Sequence, residues 1–66
     1  MQIHVNGKPR QVVDSFSLAE LVETLELGEQ RFAIEVNEEL VPRSTFARHQ
    51  LLPGDQVEIV QAIGGG

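Results

Sequence analysis

Met1-Gln2-Ile3-His4-Val5-Asn6-Gly7-Lys8-Pro9 reads as a strand that turns sharply and comes back. Met1, Ile3 and Val5 alternate with Gln2, His4 and Asn6, the period-two pattern of a strand with one face buried. Asn6-Gly7 is the dipeptide that best tolerates the positive φ angles of a type I′ hairpin turn. Lys8 to Val13 then returns as a second strand. Pro9 has no N–H to donate, so that strand belongs at the edge of a sheet.

Beyond the hairpin the period changes. Ser17-Leu18-Ala19-Glu20 is a capping box, in which the Ser17 oxygen accepts an early helix N–H while Glu20 reaches back. Leu18, Leu21, Val22 and Leu25 recur at helical spacing and form one apolar face. The helix is predicted from Leu18 to about Leu27, with Gly28 as the left-handed residue that ends it. Phe32, Ile34 and Val36 alternate with Ala33 and Glu35 as a third strand. Asn37-Glu38 is a turn, and Glu39 to Val41 is a short fourth strand stopped by Pro42. Arg43 to Gln50 is an irregular or short helical connection anchored by Phe46. Leu52-Pro53-Gly54-Asp55 places Pro and Gly at the two centres of a type II turn. Gln56 to Ile63 is the last strand, with Val57 and Ile59 alternating with Gln56 and Glu58.

A hairpin, one helix and three further strands pack as a single mixed sheet with the helix on one face. The first and last strands pair in parallel at the centre, joined by a right-handed crossover. Numbered along the chain, the strands are expected in the order 2-1-5-3-4. The fold class is α+β, a ubiquitin-like β-grasp with a five-stranded sheet. Residues 1–63 form this one domain, and 64–66 form a flexible glycine tail. The expected core is Ile3, Val5, Leu21, Leu25, Ile34, Val36, Val57 and Ile59.

Composition narrows the function. Sixty-six residues with 41% hydrophobic content make one small domain near the lower limit for a self-supporting core. There is no cysteine, hence no disulfide framework and no thiolate metal site. His4 and His49 stand far apart and form no ligand-spaced pair, so no metal site is expected. Ten acidic against five basic residues give a net charge of −5. That balance repels phosphate backbones and argues against nucleic acid. It keeps the chain soluble and favours a partner with a basic surface. Met1 to Val5 alternate like a strand rather than forming a basic segment followed by an apolar run, so no secretory signal is read there. No apolar stretch nears the roughly 20 residues that span a bilayer. The chain is expected in the cytoplasm, with no membrane partner.

The candidate site is the tail. Gly64-Gly65-Gly66 follows directly on the last strand, so the root is fixed and the tip is free. Glycine lacks Cβ, and the tail can thread a channel closed to other residues. Ala62 to Gly66 reach at most about 17 Å at roughly 3.4 Å per residue. An α-carboxylate has a pKa near about 3.5, is ionised at neutral pH and is a poor electrophile. Reaction at Gly66 therefore requires prior activation, for instance as an acyl-adenylate. With no thiol side chain, a carried sulfur has only the terminal carbonyl carbon to sit on. Glu20, Glu23, Glu26 and Glu29 recur every three residues. Such a row is ordinarily the solvated face of an amphipathic helix. Its like-charge cost is only a few tenths of a kcal/mol, so a docking role for Glu20 and Glu23 stays open. Val60 and Ala62 lie on the strand face opposite Val57 and Ile59 and can join a docking patch. Arg43-Ser44 either binds an anion or, more simply, anchors its turn.

These pieces in this order resemble the ThiS family, the sulfur carriers of thiamine biosynthesis. The resemblance rests on Ile3-His4-Val5-Asn6-Gly7, Val36-Asn37, Val41-Pro42-Arg43-Ser44, Pro53-Gly54-Asp55-Gln56-Val57-Glu58-Ile59-Val60 and Gln61-Ala62-Ile63-Gly64-Gly65-Gly66. It implies that a ThiF-type enzyme adenylates Gly66 with ATP, and that a cysteine desulfurase persulfide then displaces AMP to leave a thiocarboxylate. It implies further that a ThiG-type thiazole synthase takes the sulfur. On that reading Gly66 carries the sulfur and Gly64 and Gly65 thread the partner site. The chain is a cosubstrate rather than an enzyme and binds no cofactor itself. Two rivals share the fold: the small subunit of molybdopterin synthase, and a ubiquitin-like interaction module with an incidental tail. The former usually carries a proline-containing segment where this chain has Gln61-Ala62-Ile63. A β-grasp ferredoxin is excluded, because its cluster needs thiolates.

Overall fold

The computed structural model describes residues 1–28 and 30–61. Its elements are β1 (Gln2–Val5), β2 (Lys8–Gln11), α1 (Leu18–Leu25), β3 (Phe32–Val36), β4 (Glu39–Val41), a 3-10 helix (Arg43–Thr45) and β5 (Gln56–Gln61). The sheet order is β2-β1-β5-β3-β4, with β1 and β5 parallel and the other neighbours antiparallel. This is the expected topology. β2 is an edge strand, and its Pro9 sits opposite His4, where the missing N–H is tolerated.

Two tight turns shape the sheet. Asn6 and Gly7 both have positive φ, 51° and 82°, as a type I′ turn requires. Asn37 and Glu38 repeat that geometry at 52° and 67°, although neither is glycine. Gly54, at φ 84°, takes the third position of the Pro53-Gly54 turn, closed by Asp55 N–H donating to the Leu52 carbonyl at 3.1 Å.

The helix begins as the sequence indicates. Ser17 Oγ accepts the Glu20 N–H at 3.1 Å, and Glu20 Oε1 accepts the Ser17 N–H at 3.0 Å. The first-turn donors that the box leaves over find partners in the connection after β4. Leu18 N–H donates to the His49 carbonyl at 2.8 Å and Ala19 N–H to the Phe46 carbonyl at 3.1 Å. The orphan amides of a helix start are thus satisfied by a segment some thirty residues on.

The other end differs from expectation. α1 stops at Leu25, and the left-handed cap is Glu26 at φ 51°, its N–H donating to the Glu23 carbonyl. Gly28 is also left-handed but lies two residues further along, in the loop. The last turn holds no basic residue. Extending it would set more carboxylates against the negative end of the helix dipole. β2 is also shorter than expected, ending at Gln11. Val12 still exchanges backbone bonds with Met1, but Val13 beyond it has no strand to pair with and is exposed.

Leu18 and Leu21 are fully buried against Ile3, Ile34 and Val57, so α1 covers one face of the sheet. Val36, Val41, Phe46 and Leu51 complete the core. Val5, Leu25 and Ile59, expected inside, are half-buried at its margin. Burying each of the large side chains stabilises the fold by about 1.5–3 kcal/mol.

Candidate functional site

β5 is the middle strand, and Val57 near its start is 1% exposed between Val5 and Val36. The strand is gripped on both sides by the turn asparagines. Asn6 N–H donates to the Val57 carbonyl at 2.8 Å, and Asn6 Oδ1 accepts the Ile59 N–H at 2.8 Å. Across β5, Asn37 N–H donates to the Gln56 carbonyl at 2.8 Å and Asn37 Oδ1 accepts the Gln56 N–H at 3.0 Å. Asn37 Nδ2 also donates to Asp55 Oδ1 at 3.0 Å, and Asp55 Oδ2 accepts the Leu52 N–H at 2.8 Å. Asp55 is nearly buried, and these bonds satisfy its carboxylate.

The strand is therefore a rigid stem. Its last described residue, Gln61, still pairs with Phe32 of β3 and bonds through its side chain to Gln30 at 2.7 Å. Ala62 to Gly66 follow, so the sulfur-bearing role expected for Gly66, the threading role of Gly64 and Gly65, and the docking role of Ala62 all lie outside the described residues. So does Glu29.

Beside the stem, Arg43 lies 4.1 Å over the Phe32 ring and donates to the Phe32 carbonyl at 3.1 Å. That is the turn-anchoring role: it ties the 3-10 helix to β3 at the level of Gln61.

The remaining docking residues fall on two faces. Val60 is 51% exposed on the face of the sheet away from α1. Its cross-strand neighbour is Ala33. Next to them Glu58 stands opposite Glu35, and Leu40, 68% exposed, stands opposite Glu35 on the other side. Glu20 and Glu23 are exposed on the helix, on the other side of the molecule, and one oxygen of Glu20 is engaged in the capping box. The structure thus separates Val60 from the helical carboxylates. It places Glu35, Glu58 and Leu40 with Val60 instead. Sequence alternation marks Glu35 and Glu58 as outward, but only the register of β3 on β5 sets them side by side.

Among the described residues, no cluster of three or more His, Cys, Asp or Glu is placed to hold a metal ion. No helix in that part is long and apolar enough to cross a membrane.

The chain matches the family model described as "ThiS family" over residues 3–66. It is 35% identical to the sulfur carrier protein ThiS of Escherichia coli K12, with all of both chains covered. The crystal structure of the thiamine biosynthesis protein ThiS from Geobacter metallireducens superposes with a TM-score of 0.85 at 33% identity, again over all of both chains. A thiazole synthase of Paramagnetospirillum magneticum is 36% identical over 66 residues, and there the chain spans only 20% of its relative's length.

Proposed function

Because this chain belongs to the ThiS family, the sulfur carriers of thiamine biosynthesis, we propose that Gly66 carries the sulfur as a thiocarboxylate. A ThiF-like enzyme binds the domain and receives residues 62–66 in its active site. The Gly66 carboxylate attacks the α-phosphorus of ATP and expels pyrophosphate. The resulting acyl-adenylate is the activation that an ionised carboxylate lacks. A persulfide sulfur, supplied through a cysteine desulfurase, attacks the carbonyl carbon and displaces AMP. A thiol then cleaves the acyl disulfide and leaves the thiocarboxylate. A ThiG-like thiazole synthase accepts that sulfur in building the thiazole ring. The chain is a cosubstrate, ATP is bound by the partner, and the steps take place in the cytoplasm.

The observation that carries this reading is the rigid stem. β5 is held by β3 as far as Gln61 and by β1 and Asn6 as far as Ile59, so the domain presents its following residues from a fixed point. A fixed root lowers the entropy cost of bringing the carboxylate into a reactive geometry. The partial likeness to a thiazole synthase supports the choice of acceptor.

The test is intact mass. Incubation with ATP, the activating enzyme, the desulfurase, cysteine and a thiol reductant yields a chain heavier by the exchange of one oxygen for one sulfur. Fragmentation places the change at Gly66. An unchanged mass overturns the reading.

A further inference from the structure

The β1 side of β5 is only half occupied. β1 pairs with β5 at His4↔Gln56 and Val5↔Val57, and the chain then turns away at Asn6. On the other side β3 follows β5 as far as Gln61. Asn37 N–H donates to the Gln56 carbonyl, which fixes the alternation of that antiparallel ladder. The main-chain groups of Gln56, Glu58 and Val60 face β3. Those of Val57, Ile59 and Gln61 face the β1 side. There the Val57 carbonyl is taken by Asn6 N–H and the Ile59 N–H by Asn6 Oδ1. Among the described residues, the Ile59 carbonyl and the Gln61 N–H have no hydrogen-bond partner.

These two groups lie on one line, spaced as in a parallel ladder. A single residue of an added strand running parallel to β5 can donate its N–H to Ile59 and accept the Gln61 N–H. The other sheet edges are less receptive. β2 carries Pro9, and β4 is three residues long and followed by Pro42.

We propose that the free half-edge of β5 at Ile59 and Gln61 is a strand-addition site for an extended segment of the activating enzyme. The inference rests on the function proposed above and says how that partner aligns the tail. The half-edge runs directly into residues 62–66, so a segment paired there continues alongside them toward the reacting carboxylate. The backbone bonds give alignment, and exposed Val60 beside them offers an apolar contact. A second copy of the chain is a poorer occupant, since two backbone bonds and one valine fall far short of the area a stable dimer buries.

A 66-residue chain is accessible to chemical synthesis, which permits main-chain changes. N-methylation at Gln61 removes the donor and blocks an added strand, but touches no bond of the folded domain. Circular dichroism and melting are expected to match the native chain. In ATP–pyrophosphate exchange with the activating enzyme, KM for the N-methyl chain is expected to rise at least about tenfold with kcat little changed. An ester in place of the Gln61 amide, which replaces the N–H by oxygen without adding a methyl group and weakens the Val60 carbonyl as an acceptor toward β3, is expected to raise KM a few-fold. In the native chain, amide exchange at Gln61 is expected to slow at least about tenfold in the saturated complex. Unchanged KM for both variants, or unchanged Gln61 exchange in the complex, overturns the inference while leaving the proposed function standing. Protection of Gln61 by thiazole synthase alone, or by concentrating the free chain, also overturns it. If the native chain supports no exchange of pyrophosphate, the proposed function and this inference fall together.

Discussion

Asn6 supplies with its side chain the acceptor that its own backbone takes away: Oδ1 receives the Ile59 N–H at 2.8 Å. A parallel ladder continuing through Asn6 would offer its main-chain carbonyl to that amide. The left-handed φ of 51° turns the carbonyl aside for the hairpin, and the side chain replaces it. Asn37 does the same for the Gln56 N–H on the opposite flank of β5. One residue type solves two problems at both turns, since asparagine tolerates positive φ and carries a short acceptor.

Asn6→Ala therefore loses both properties and is expected to cost about 1–3 kcal/mol in urea unfolding. Asn6→Gly keeps the φ and loses only the bond, so its cost is expected to be clearly smaller. Equal costs for the two variants would show that the left-handed φ contributes nothing, and a costless Asn6→Gly would show the same of the Ile59 bond.

Asn37 and Asp55 act as a unit, because the amide of one holds the carboxylate of the other while Leu52 N–H holds its second oxygen. A double-mutant cycle with Asn37→Ala and Asp55→Ala is expected to show a coupling energy of about 0.5–3 kcal/mol. Strict additivity would mean that the two residues stabilise the end of the type II turn independently.

The register of β3 on β5 sets Glu35 directly opposite Glu58 on the open face. Like charges so placed destabilise a sheet. Glu58→Gln is expected to raise stability by roughly 0.2–1 kcal/mol at neutral pH and low salt. The gain is expected to shrink at 1 M salt, where the screening length is about 3 Å. No gain at low salt would show that solvent already separates the two carboxylates.

Leu21 is fully buried at the centre of the helix face. Leu21→Ala is expected to cost about 2–5 kcal/mol. A chain of this length has only about 3–10 kcal/mol in total. The variant should thus be partly unfolded by mild urea, whereas Leu40→Ala on the open face should behave as the native chain does. If Leu21→Ala leaves the unfolding midpoint unchanged, the assigned core is wrong.

Much of this architecture is legible in local pattern. Asn6-Gly7, the Ser17 box and the alternation of Ile34, Val36, Val57 and Ile59 each report a local preference, and each forms the expected element. What escapes is set by tertiary contact. The helix end moves from Gly28 to Glu26 because an acidic last turn gains nothing from extension. Leu51 is buried because its segment folds back over the start of α1, with its N–H donating to the Phe16 carbonyl. No spacing in the sequence announces that. At the site, alternation places Val60 outward, but the company of Leu40, Glu35 and Glu58 comes from strand register. The tail is read from residue identity and family membership, since its residues lie outside those described.

The central claim is that the Gly66 carboxylate is the atom group that accepts sulfur. The most direct measurement compares intact masses of the native chain and a chain with one residue added after Gly66, both in the complete sulfur-transfer mixture. The addition moves the carboxylate by about 3.5 Å, and misplacement of about 1 Å already costs orders of magnitude in rate. The account predicts an oxygen-to-sulfur mass change in the native chain and none in the extended chain, with both equally folded. Equal thiocarboxylation of the two, or none in the native chain, would contradict it.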